Sequence, residues 1–581
     1  MSELVYIYIN RINFNQFQNQ EINLASDIQF STTKIDDLFQ LEFTRSEKSS
    51  MVPRGFFGQN ITNINVVTGK NGSGKTTLLK SIGSQSHDAQ LNDADSIFLI
   101  YRISHDEFYI DGPEWLVTNI DTSSISENIR ILNKDIDSLE EYNNQKVSVS
   151  YHHIYPLVSW TDNFSKIKNN RTREKENELI TYSEASPDDI RNIFKLISSK
   201  FRLLIENKKY HFSAKIFLPE IRDTNEFYEW IYNGTFDFKI NNSDTSNHFI
   251  DYQSSNKDKL IIELIEKFIA NLAAKYYLKD KQFISKLRVA TSTVLRNGKY
   301  AINDSTYERR IYLTSLLKNK YFIESVKNIT VTNRDESGKS NDLELNFQES
   351  SRKKSLTKNI QSHIIERKFG RMNDLIDTIV NLPEAMFLPQ EIRVDAGNYE
   401  SFDPETLDGI NDIIKYKEFF RFNFSNLSDG EVTYLSIFAS IFNELSSKPS
   451  ISNFIIILDE PDMNLHPEWC RNFINHCIQM GLKFPNSNIQ YIISTHSPYM
   501  VSDIPRQNII SLSYNPKKMT VDINKPNKSF AANIIEILAD NFYLEHPLGE
   551  FARTKISSDE IKNYIYLVDN PVLKTILEAN D

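Results

Sequence analysis

The stretch Gly69-Lys70-Asn71-Gly72-Ser73-Gly74-Lys75-Thr76 decides how the rest of this 581-residue chain is read. It fits the pattern GxxxxGK[ST] in full, and its flanks fit as well. The apolar run NINVV (63–67) before it reads as a strand, and TTLLKSIG, continuing from Lys75, reads as a helix. The glycines let the backbone fold into a loop whose N–H groups point inward, and the helix start beyond adds a partial positive charge. Such a loop cradles phosphate. Asn71, Gly72, Ser73, Gly74, Lys75, Thr76 and Thr77 would surround a nucleotide, with Lys75 reaching its β- and γ-phosphates and Thr76 holding Mg2+.

Three further motifs lie downstream. FIIIL (454–458) and IQYII (489–493) are continuous apolar runs bounded by polar residues, the pattern of strands buried on both faces of a parallel sheet. The first ends in Asp459-Glu460. Ligands bind at the carboxyl ends of parallel strands, so Asp459 is expected beside the glycine loop, where it can hold the hydrated Mg2+. Asn426-Leu427-Ser428-Asp429-Gly430-Glu431 opens the helical run EVTYLSIFASIFNEL. Ser428 reads as its N-cap and Glu431 as the partner in a capping box, and the same helix start, with the backbone around Gly430, is a second anion site. Ser494-Thr495-His496-Ser497-Pro498 follows the second apolar strand.

Together these motifs resemble those of the ABC-type ATPases in the SMC, RecF and OLD-like group. The glycine loop corresponds to Walker A, FIIILDE to Walker B, NLSDGE to the signature and STHSP to the switch-histidine loop. The resemblance implies that the catalytic residues are Glu460, orienting the attacking water, His496, donating to the γ-phosphate, and Lys75. It implies ATP and Mg2+ as ligands. Pro461-Asp462-Met463-Asn464-Leu465-His466-Pro467 resembles the DEPE-x-x-LHP string of RecF- and OLD-like ATPases, with Asp462 where Glu is usual and His466 at the helix start. The tail, with Phe530-Ala-Ala-Asn-Ile, Asp540-Asn-Phe-Tyr and Gly549-Glu-Phe-Ala, is similar to ATPases of bacterial defence systems such as Septu and its retron-linked relatives. The resemblance covers 1–155 and 385–581. No motif places the Q-loop glutamine, for which Gln145 is the candidate.

The expected fold is therefore α/β: an ABC-type P-loop ATPase head, with a mixed sheet and flanking helices, interrupted by a mostly helical insertion. Length alone calls for more than one structural unit. VYIYI near the start, IFLIYRI and EFYIDG (97–112), and VSVSYHHIY (147–155) read as strands of the head. Between them and residue 385 the chain turns to long charged segments, such as NELITYSEASPDDIRNIFKLISSKFRLLIENKK and NKDKLIIELIEKFIANLAAKYYLKDKQF, with apolar residues at helical spacing. No heptad repeat persists, so a compact insertion is expected rather than a coiled-coil arm. The divisions are 1–160 and 386–581 for the head and 161–385 for the insertion, with 333–358 as an exposed loop.

Composition narrows the function. With 40% hydrophobic and 25% charged residues the chain is ordinary globular protein, and it has neither an apolar run long enough for a membrane span nor a signal-peptide plan, so a cytoplasmic protein is expected. A formal net charge of −11 argues against a protein that coats nucleic acid, and confines any such contact to one region. Cys470 and Cys477 fall on one helical face, in packing roles.

In the families resembled, the signature completes the site of a second subunit, which implies a head-to-tail homodimer with ATP shared between Lys75 of one chain and Ser428 of the other. The chain after His496 shows no Glu followed by an Asp-x-Asp cluster, as a Toprim nuclease would need, and no HNH-type histidine cluster is seen. The expectation is an ATPase subunit whose partner is a separate nuclease, such as an HNH protein, with possible nucleic-acid contact through the insertion. The alternative is a RecF-like repair ATPase that clamps DNA, using the basic stretches Lys166–Lys175, Lys275–Arg288 and Arg352–Lys358 on phosphates.

Overall fold

A computed structural model describes residues 2–131, 146–153, 180–199, 211–216, 255–277, 291, 306–324, 366–395 and 404–579, apart from 13–15, 37, 48–50, 84–95, 126–127, 186–189, 321, 390, 417–418, 425–426, 543, 559–560 and 562–564. The chain divides into two compact units. One is Met1–Leu196 with Asp429–Asp581, and the other is Ile197–Ser428.

The first unit is organised by a seven-stranded sheet in the order Ile180–Ala185, Val147–His153, Asn453–Asp459, Asn488–Ser494, Ile61–Gly69, Ile509–Asn515, Thr520–Asn524. The first six strands are parallel, and the last closes an antiparallel hairpin. The apolar runs read from the sequence are its central strands, buried on both faces. Register brings their carboxyl ends to one edge, with His153 opposite Asp459, Asp459 opposite Ser494, and Ser494 opposite Val67.

The helix Lys75–Gly83 is nine residues long, too short to persist alone. Its Leu78, Leu79 and Ile82 join one core with Ile455, Ile457 and Ile492 of the parallel sheet and Leu4, Ile7 and Ile9 of a second sheet. That sheet is ordered Phe17–Asn23, Glu3–Ile12, Ser96–Ser104, Glu107–Asp111, Asn128–Ile131. The strand that contains VYIYI is buried on both faces. Tyr6 and Tyr8 point away from the helix into an aromatic layer with Phe98, Phe30 and Phe39, the last two from a three-stranded sheet that covers them.

Two helices of this unit carry the remaining motifs, Asp429–Ser447 and Pro467–Lys483, held together by ring contacts of Phe473 with Tyr434 and Phe438. Cys470 and Cys477 are buried free thiols on the second helix.

One stretch read as helix is a strand. Ile180–Ala185 lies parallel to Val147–His153 at the sheet edge, where β-branched Ile180 and Thr181 and an open row of backbone partners outweigh the helical spacing around them. The helix Ile190–Ser198 follows it.

In the second unit, helices Asn256–Tyr277, Thr306–Lys318 and 366–381 accompany an antiparallel sheet of Phe387–Leu388, Glu391–Asp395, His211–Ile216 and Phe420–Phe424. Its described part thus combines helices with strands. The loop expected at 333–358 and the basic stretches 166–175 and 352–358 lie outside the described residues, as does 275–288 beyond residue 277. Among the described residues no helix is long and apolar enough to cross a membrane.

The phosphate-loop helix packs closely on the sheet at its last residue. A Cβ on Gly83 would sit 2.6 Å from Cβ of Tyr151 and 3.3 Å from Ile457. Gly83→Ala should destabilise the protein by about 1–3 kcal/mol through overpacking. Gly370→Ala, at a helical position with open space around it, should stabilise by about 0.4–1 kcal/mol. Denaturant unfolding of the two variants against the parent protein checks both signs.

Candidate functional site

The loop between Ile61–Gly69 and Lys75–Gly83 turns through three glycines with positive φ: +146° at Gly69, +77° at Gly72 and +92° at Gly74. Two of them are also sterically required. A Cβ at Gly69 would meet the Leu512 carbonyl oxygen at 2.4 Å, and one at Gly74 would meet the Phe17 ring at 2.7 Å. Asn71 and Gly72 form the exposed tip, Ser73 and Lys75 are buried, Thr76 is exposed and Thr77 half-buried.

Lys75 folds back under the loop. Its ammonium donates to the carbonyls of Gly69 at 3.2 Å and Lys70 at 3.4 Å, and lies 3.6 Å from Glu460 Oε1. Burial pushes its pKa below the ordinary lysine value, an effect opposed by the Glu460 carboxylate.

Asp459, at the end of its strand, is held by three hydroxyls from three other segments. Thr76 Oγ1 donates to its Oδ1 at 3.3 Å, Ser494 Oγ to the same oxygen at 2.7 Å, and Tyr151 Oη to Oδ2 at 2.9 Å. Ser494 Oγ also accepts from the Glu460 N–H at 2.9 Å. That bond steadies a strained residue, because Glu460 has φ +50°, a left-handed conformation costing about 1–3 kcal/mol for a non-glycine residue.

His496 Nε2 lies 3.3 Å from Glu460 Oε1, near enough for an ion pair although not aligned for a hydrogen bond. Its backbone N–H donates to Asp462 Oδ2 at 2.9 Å. Burial raises the pKa of Asp462, and hydrogen bonds from Thr495 and His496 oppose the rise. His466 caps the helix Pro467–Lys483 by accepting from the Glu468 N–H, with Pro467 in the first turn.

The structure therefore brings together Lys75, Thr76, Asp459, Glu460 and His496. Ser428 is exposed immediately before the helix Asp429–Ser447, and Gly430 packs beside Asn464 and Trp469, where a Cβ would come within 3.0 Å of the Asn464 carbonyl. Gln145 lies outside the described residues. The strand after it begins with Val147 opposite Asn453, at the edge of the sheet away from Asp459. Tyr151 on that strand is what reaches the site. Tyr151, Asp462 and the double role of Ser494 were not foreseen from the sequence. Ser494 and Tyr151 could have been sought as polar side chains near the carboxyl ends of expected parallel strands.

Comparisons with known proteins give partial matches. The family described as "AAA domain, putative AbiEii toxin, Type IV TA system" matches residues 304–502, which hold Ser428, Asp459, Glu460 and His496 but not the glycine loop. The chain is 35% identical over 112 residues to the "Retron Ec83 probable ATPase" of Escherichia coli, covering 18% of this chain and 20% of that protein. It is 32% identical over 132 residues to the "Retron Vc95 probable ATPase" of Vibrio cholerae serotype O1 biovar El Tor, covering 21% of this chain and 24% of that protein. The chain thus spans about a fifth to a quarter of the length of these relatives. It contains an AAA-type ATPase domain and is homologous in part to retron-associated probable ATPases.

Ser494 offers a test of how the site is held. In Ser494→Ala the half-buried Glu460 N–H and the buried Asp459 Oδ1 each lose a partner, which should cost about 1–3 kcal/mol. The loss should appear as a lower denaturation midpoint in the absence of nucleotide.

Proposed function

We propose that this chain binds ATP with Mg2+ at the carboxyl edge of its parallel sheet and hydrolyses it, as an ABC-type ATPase subunit of a bacterial anti-phage system. The observation that carries the reading is the convergence of Lys75, Thr76, Asp459, Glu460 and His496, from segments hundreds of residues apart, around one loop of positive-φ glycines.

The residues present fit Mg2+. Thr76 Oγ1 and Asp459 Oδ1, 3.3 Å apart, are hard oxygen donors, and Mg2+ beside a nucleotide needs only one or two protein oxygens. Among the described residues there is no cluster of three or more His, Cys, Asp or Glu, as an all-protein metal cage would need. The buried Ser73 hydroxyl has no hydrogen-bond partner among them, which leaves a donor for a ligand. When bound, Mg2+ would neutralise charge on the phosphate oxygens.

Lys75 exchanges its contact with Glu460 for phosphate oxygens, and the backbone N–H groups of 71–76 bind the same phosphates. Released from Lys75, Glu460 is free to accept a hydrogen bond from water and act as general base. His496, beside Glu460, donates to the γ-phosphate. Ser428 and Gly430, at an exposed helix start, serve the nucleotide of a second chain, so a head-to-tail homodimer holds two shared sites. The partial homology to retron-associated probable ATPases supports a defence role. In this reading ATP state controls a separate nuclease, such as an HNH protein, and nucleic acid is contacted through the insertion at 161–385. Mild purification followed by identification of bound protein and nucleic acid tests this part.

Lys75→Ala removes the buried cation at the phosphates and should abolish tight ATP binding in a folded protein, read by equilibrium binding. Glu460→Gln should keep ATP bound while hydrolysis falls about 10²–10⁴-fold. Turnover near the parent rate would show that another group acts as base.

Sharing of sites is tested by mixing. Lys75→Ala and Ser428→Arg chains should each be inactive alone, and together should regain part of the ATPase activity through the one site with both parts intact. In an ATP-bound structure of Glu460→Gln, Ser428 should touch the γ-phosphate held by Lys75 of the partner subunit. ATP enclosed by one chain, with Ser428 facing solvent, would overturn the shared site.

A further inference from the structure

The strand Val147–His153 has the sequence VSVSYHH, and its alternation separates two buried faces. Val147, Val149 and Tyr151 join the core that contains Leu78, Leu79 and Ile82 of the phosphate-loop helix. Ser148, Ser150 and His152 are equally buried, yet polar. Opposite them the helix Asp429–Ser447 presents a buried polar stripe, Ser436, Ser440 and Glu444, at a spacing of four.

The two polar rows meet. Ser148 Oγ donates to Glu444 Oε1 at 2.8 Å, and Lys448 Nζ reaches that carboxylate at 2.6 Å and Ser148 Oγ at 2.8 Å. His152 Nδ1 pairs with Ser440 Oγ at 2.9 Å, and its Nε2 pairs with Ser150 Oγ at 2.9 Å. Burial pushes the His152 imidazole down to about 4, so the ring is neutral and can donate at one nitrogen while accepting at the other. Ser436, one turn nearer Gly430, has a buried hydroxyl with no partner among the described residues.

A polar seam between a central strand and a helix costs desolvation that apolar packing would avoid, and each of its bonds has a defined direction and length. Such a seam fixes the position of the helix along the strand more sharply than aliphatic contacts do. Its outer end is His152, the residue next to Tyr151, whose hydroxyl holds Asp459. Neighbouring residues of one strand thus reach two different functional parts from opposite faces of the sheet.

We infer that Tyr151 and His152 are a positioning pair that ties the Mg2+-binding carboxylate of a chain's own site to the signature helix it lends to its partner. Tyr151 orients Asp459, and His152, through Ser440, fixes the helix that begins at Asp429. A change in one contact moves the strand end that bears the other. The inference rests on the shared-site reading above, and it explains why the seam is polar and why it lies under the signature helix.

The test is the Mg2+ concentration for half-maximal binding of a fluorescent ATP analogue, measured at equilibrium on the full chain. Tyr151→Phe should raise that midpoint about tenfold, the lower range for losing a group that orients a metal ligand. Ser440→Ala, a change on the far face of the sheet, should raise it as well, and the double variant should be no worse than Tyr151→Phe because both act through one strand. Ser440→Thr keeps the hydroxyl and should restore the parent midpoint. Ser440→Cys, nearly isosteric but a weak hydrogen-bond partner, serves if Ser440→Ala fails to fold.

An unchanged midpoint in the folded Ser440→Ala or Ser440→Cys protein overturns the tie, as does an unchanged midpoint in Tyr151→Phe. Parent protein that binds no nucleotide at any Mg2+ concentration overturns the ATP reading and the tie together. Failure of the chain-mixing experiment, with these midpoints shifted as expected, removes the partner from the inference and leaves Tyr151 and His152 linking two parts of one chain.

Discussion

The hydrogen bonds to the Asp459 carboxylate are the constraint on which the rest of the site depends. Three hydroxyls reach it, from the phosphate-loop helix, the strand on one side and the strand on the other. A carboxylate so buried is stable only when its oxygens are satisfied, so these segments cannot shift independently of it. Through Ser494 the same network extends to the Glu460 backbone, and through the Glu460 carboxylate to Lys75 and His496.

Strain is stored beside this network and compensated by it. Glu460 stands in a left-handed conformation directly after a strand of seven buried residues, and the phosphate loop turns through three glycines that no other residue could replace without strain. Rigid parallel strands on either side supply the restoring force. Their carboxyl ends are aligned by register, so a polar side chain at the end of one strand lies within hydrogen-bond reach of the next. The arrangement explains how groups from 69–76, 151, 459–462 and 494–496 act as one site.

The helix Asp429–Ser447 is joined to this framework differently. Most of its residues are buried, and its aromatic side meets the helix Pro467–Lys483 through Tyr434 and Phe438. Its polar side meets the strand Val147–His153 through serine, histidine and glutamate. The apolar contacts supply burial energy, whereas the polar contacts set register.

The sequence alone determined the parts made by local pattern. Glycine spacing gave the phosphate loop, uninterrupted apolar runs gave the buried parallel strands, and carboxylates and a histidine placed directly after those runs gave Asp459, Glu460 and His496. These are short-range signals, in which each residue's chemistry is read against its immediate neighbours. Only tertiary structure decided what depends on partners distant in the chain. Ile180–Ala185 is a strand because an open sheet edge offers it backbone partners, and VYIYI is buried on both faces because a third layer covers it. Tyr151 matters because a parallel strand more than three hundred residues later delivers Asp459 to its hydroxyl, and the serines around it are buried because a helix with a matching polar stripe lies above them. A hydrogen bond across such a separation leaves no periodicity in sequence, since it is fixed by strand order and register, and those are set when the whole core packs.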